Sequence, residues 1–67
     1  MLTNELFKKV NHIFAISRLY CEDGDFEKMD RERNKLAEMV KDNVIDQEIL
    51  DNFDFDMKYV YNQYHSL

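Results

Sequence analysis

Apolar residues recur at intervals of three and four in three successive blocks of this chain, with short polar segments between them. In the last block, Leu50, Phe53, Met57, Val60, Tyr64 and Leu67 form an unbroken seam. That spacing puts six side chains on one flank of a helix running from about Gln47 to about Tyr64. In the first block, Leu6, Val10, Ile13, Ser17 and Tyr20 form one row, and Phe7, Phe14 and Cys21 a parallel row at heptad spacing. Two adjacent rows make an arc wide enough to touch two other helices. This helix starts after Thr3, a good N-cap, and runs to about Cys21. The middle block, Phe26, Met29, Arg33, Leu36, Val40 and Val44 with Ala37 alongside, predicts a helix from about Phe26 to about Lys41 or a little beyond.

The segments between the blocks carry stop and start chemistry. Gly24, within Glu22-Asp23-Gly24-Asp25, suits the left-handed residue after a helix end, and Asp23 or Asp25 can cap the next start. Asp42, Asn43 and Asp46 offer the second turn and cap. Helix, short turn, helix, short turn, helix is the pattern of a small antiparallel all-α three-helix bundle, a single domain over residues 1–67. The absence of proline and the single glycine agree with it.

At 67 residues the core is thin. Stability must therefore come from well-ordered helix packing or from another chain, since one cysteine allows no internal disulfide. His12 and His65 lie far apart in sequence with the lone thiol beside neither, so no zinc set, other metal site or cofactor is expected. Cys21 falls in a packed row, where a small buried hydrophobe is expected rather than a nucleophile. Glu48, Asp51 and Asp54 recur on one flank of the third helix, with Asp56 further round. A metal-dependent hydrolase needs two such carboxylate pairs on facing helices, and the other helices supply none, so no enzyme and no catalytic residue is expected.

Fourteen acidic against nine basic residues give a net charge of −5. That balance argues against direct binding to nucleic acid or to an anionic membrane. No stretch approaches the length of a membrane span, and the start of the chain lacks the apolar core of a signal peptide. A cytoplasmic protein is expected, where a free thiol persists.

The stretch Leu19-Tyr20-Cys21-Glu22-Asp23-Gly24-Asp25-Phe26-Glu27-Lys28 resembles the interhelical corner of a tetratricopeptide hairpin, with Ile13, Ile16 and Tyr20 at its large positions. Met29 and Leu36 stand where that family has small residues, and Ser17 where it has glycine. The resemblance covers one hairpin, and one repeat forms no array, so it implies a helical turn and carries no peptide groove with it.

Two aromatics fall off the seam. Phe55 and Tyr59 project roughly 140–180° from Leu50, onto the side that faces water. With Tyr61 at the seam's edge and Asn52, Asn62 and Gln63 around them, they have the composition of a protein interface. These six residues are the expected contact site for another protein. The expected function is a helical interaction module that regulates or inhibits a larger protein, self-associates as a homo-oligomer at micromolar concentration, or does both. A second reading takes the acidic rows as a decoy that mimics nucleic-acid phosphates, as an inhibitor of a DNA-binding protein from a phage or mobile element would. Arg33, inside an apolar row, either reaches past its neighbours to water or pairs with a carboxylate across an interface.

Overall fold

The computed structural model describes residues 3–65, folded as three helices: α1 (Asn4–Asp23), α2 (Phe26–Lys41) and α3 (Gln47–His65). They form the expected bundle. Each boundary has a local cause. The Thr3 hydroxyl accepts from the Leu6 amide and opens α1. Gly24, at φ 77°, closes it: the Gly24 amide donates to the Cys21 carbonyl and the Asp25 amide to that of Tyr20. These are the paired bonds of a Schellman ending, which needs a residue at positive φ. α1 thus runs two residues past Cys21, up to its glycine. The Asp25 carboxylate then accepts from the Lys28 amide and starts α2. α2 ends the same way. Asn43, at φ 59°, donates to the Val40 carbonyl, and Val44 donates to Met39. Asparagine fills the glycine's role at a small cost.

The core collects Val10, Ile13 and Cys21 from α1, Leu36 from α2, and Leu50, Phe53, Met57 and Val60 from α3. Phe14 meets Phe53 edge to face, with ring centroids 5.4 Å apart. α1 is the central helix and packs on both of its neighbours, while α2 and α3 touch each other less. That use of α1 agrees with its wide apolar arc.

Four expected core positions turn out otherwise, Phe26 among them at 38% exposed. Tyr64 is 58% exposed, because the seam outruns the bundle at the corner where α1 ends; Leu67 lies outside the described residues. Phe7 is exposed at the opposite end of α1, and Val44 is exposed in the α2–α3 turn. Ile45, not Val44, enters the core there. Ile45 immediately precedes Asp46 at the start of α3, and Leu50 four positions after Asp46 is also buried. This is the placement of a hydrophobic staple, which fixes the angle at which the chain enters a helix.

Ser17 is fully buried among these apolar side chains, and its hydroxyl has no hydrogen-bond partner among the described residues. A small residue lets helices approach closely, but an unsatisfied buried hydroxyl carries a desolvation cost. Ser17→Ala keeps the size and removes the hydroxyl, so it is expected to leave stability unchanged or to raise it by up to about 1 kcal/mol. Urea melts of the two proteins test this, and a loss above about 1 kcal/mol would show that the hydroxyl is bonded.

Candidate functional site

The outer side of α3 follows from its period. With Phe53, Met57 and Val60 inward, Phe55 and Tyr59 must point away, and they are 73% and 61% exposed. Spaced one turn apart, their rings lie on neighbouring turns of one exposed face. Asn52, Asn62 and Gln63 are exposed beside them, so five of the six expected contact residues share a continuous surface. Asn52 and Gln63 carry that surface round toward α1. There Asn52 meets a groove with Phe7, Asn11 and Phe14, while Tyr59 and Gln63 meet another with Arg18, Glu22 and Tyr64.

Tyr61 does not belong to this surface. It sits on the α2 flank of α3, roughly 120° from Phe55 at about 100° per residue. Its ring packs against Phe26, with centroids 5.7 Å apart, and against His65 at 5.4 Å. Phe26 and His65 complete the trio at 5.6 Å. The His65 ring nitrogen Nε2 lies 2.6 Å from the Cys21 carbonyl oxygen, so the last turn of α3 is held against the α1–α2 corner. Gly24 lies beneath the same ring: a Cβ on it would sit 3.6 Å from the imidazole. His65 therefore sits at the C-terminal end of α1 as well as of its own helix, both of which favour a hydrogen-bond donor.

Two ion pairs set α3 against its neighbours. Arg33 makes a bidentate pair with Asp54, with Nε to Oδ1 and Nη2 to Oδ2 both at 2.7 Å. Hydrogen bonding to Asp54 raises the Arg33 pKa above its ordinary value, outweighing the opposite pull of partial burial. Arg33 thus finds its carboxylate inside the molecule. Both side chains are more than a third exposed, so the pair contributes at most about 1 kcal/mol and acts mainly on register. Arg18 on α1 pairs with Asp56 on the other flank of α3. Beneath Arg33 and Asp54 runs a groove of about 570 Å³ between α2 and α3, lined by Phe26, Met29, Phe53, Met57 and Tyr61.

The sequence pattern did not reveal these two pairs or the Phe26–Tyr61–His65 trio. Each joins residues from different helices, and the only advance sign was one arginine in an apolar row. Cys21 is buried and its thiol donates to the Met57 carbonyl at 3.5 Å. Burial, and then the neighbouring Glu22 carboxylate, push its pKa up, away from thiolate reactivity. His12 is exposed on α1. Among the described residues no three His, Cys, Asp or Glu side chains gather as a metal set, and no helix is long and apolar enough to cross a membrane. Comparison with known proteins found no matching family model, no matching curated protein and no matching solved structure.

Proposed function

We propose that this chain is a protein-binding module that regulates or inhibits a larger protein, associates with itself, or both, through the outer face of α3. The observation that carries the reading is the exposed pair Phe55 and Tyr59, side by side opposite the core and ringed by Asn52, Asn62 and Gln63. Large aromatics held rigidly by a helix contribute contact area at little entropic cost, and an amide rim satisfies a partner's polar groups. The buried free thiol of Cys21 fits a reducing, cytoplasmic setting.

The decoy reading draws on the net charge of −5 and on exposed Glu48 and Asp51. It is the weaker of the two, because Asp54 and Asp56 are already engaged by Arg33 and Arg18. Salt separates the readings. Capture of partners on the immobilised chain from its source cells should lose its bound proteins when Phe55 and Tyr59 are both changed to alanine. It should weaken by no more than about threefold between low and moderate salt. A contact that ignores the double substitution but falls by roughly 100-fold or more over the same salt range supports the decoy instead.

A further inference from the structure

The charges on either side of Phe55 make the outer face of α3 complementary to itself. Within about 60° of Phe55 its exposed residues are Glu48, Asp51, Asn52, Phe55, Lys58, Tyr59 and Asn62. At about 100° per residue, Asp51 and Lys58 fall within about 20° of each other, on the flank of Phe55 nearer α2. Asn52 and Tyr59 likewise share the flank nearer α1. Among the described residues Lys58 makes no ion pair, and Asp51 accepts only a hydrogen bond from the Gln47 side chain.

We infer that the partner of this face is a second copy of the chain, docked with its α3 antiparallel about a two-fold axis at Phe55. The inference rests on the reading of the outer face as a contact surface and names its occupant. A two-fold axis between antiparallel helices sets each flank against the same flank of the partner helix. Residues at equal distances before and after Phe55 then come level. Asp51, four before, falls within one residue's rise (about 1.5 Å) of Lys58 of the other copy, three after. The same operation repeats the pair at the other end. On the second flank Asn52 comes level with Tyr59 to the same tolerance, and Glu48 meets Asn62 level with it. Phe55 packs on its own copy at the axis. A parallel arrangement instead sets the Asp51 and Lys58 flank against the Asn52 and Tyr59 flank of the other copy, where neither charge meets an opposite one. With two aromatic rings per copy at its centre, the contact is small, and association in the range of about 10–100 µM is expected.

Sedimentation equilibrium on the whole chain, with circular dichroism as a check on folding, tests the arrangement by charge exchange. Asp51→Lys and Lys58→Asp each set like charges together at both ends, and each is expected to weaken self-association by about tenfold or more. Asp51→Lys lowers the net negative charge, so repulsion between whole molecules predicts the reverse. In an equal mixture of the two variants, a dimer of one copy of each has opposite charges facing at both ends again. Mixing is therefore expected to restore association to within about threefold of the original. The double exchange in one chain, which keeps the net charge at −5, is expected to do the same. Dimers that tolerate both single exchanges, or mixtures that stay monomeric, overturn the antiparallel arrangement. A chain that stays monomeric up to about 1 mM, yet captures another protein through Phe55 and Tyr59, overturns the second copy and leaves the face a heterologous contact. A dimer that survives Phe55→Ala overturns the face itself, and with it the reading on which this rests.

Discussion

Phe53→Ala is expected to destabilise the bundle by about 3–5 kcal/mol, and Phe55→Ala, on the same helix, by no more than about 0.5 kcal/mol. The residue type, the helix and the deleted atoms are the same, so the difference is one of direction alone. Phe53 is fully buried and meets Phe14 edge to face, and its removal leaves a cavity that the helices cannot fill without moving. Phe55 is 73% exposed and leaves no cavity. A domain of this size has few kilocalories in reserve, so Phe53→Ala should be largely unfolded at 25 °C. Met57→Ala and Val60→Ala delete smaller buried groups and should fall between, at about 1–4 kcal/mol. Urea melts at about 1 µM protein decide it, since dilution removes any contribution from association. A Phe55→Ala protein that melts as early as Val60→Ala would place Phe55 in the core and remove the basis for a contact face on α3.

The second large effect is expected in the α2–α3 turn. Ile45→Ala should cost about 2–4 kcal/mol, whereas Val44→Ala beside it should change stability by less than about 0.5 kcal/mol. Val44 is exposed, and its contribution is a backbone bond to the Met39 carbonyl, which alanine keeps. Ile45 is 5% exposed and joins the core just ahead of α3. Losing it removes buried surface and also frees the angle at which α3 leaves the turn. Equal losses at the two positions would mean that the turn is packed differently from the arrangement described.

Within one helix the apolar period is sufficient. It assigns Leu50, Phe53, Met57 and Val60 to the core and sends Phe55 and Tyr59 outward, because azimuth follows from the ~3.6-residue turn without reference to any other element. Capping chemistry is equally local: Thr3, Gly24 and Asp25 stand where their side chains or backbone freedom close orphaned groups. Tertiary structure decided what depends on a neighbour's length and register. Tyr64 continues the seam in azimuth but is uncovered because α1 stops at its glycine, and Phe7 lies exposed at the other end of that helix. Tyr61 lies about 120° from Phe55 by the helix period alone, but its packing on Phe26 and His65 depends on where α2 docks. Arg33 finds Asp54, and Arg18 finds Asp56, only because the helices dock at a particular axial offset. Spacing along one chain fixes which way a side chain points, whereas what it meets depends on how far the facing helix extends and how far it has slid.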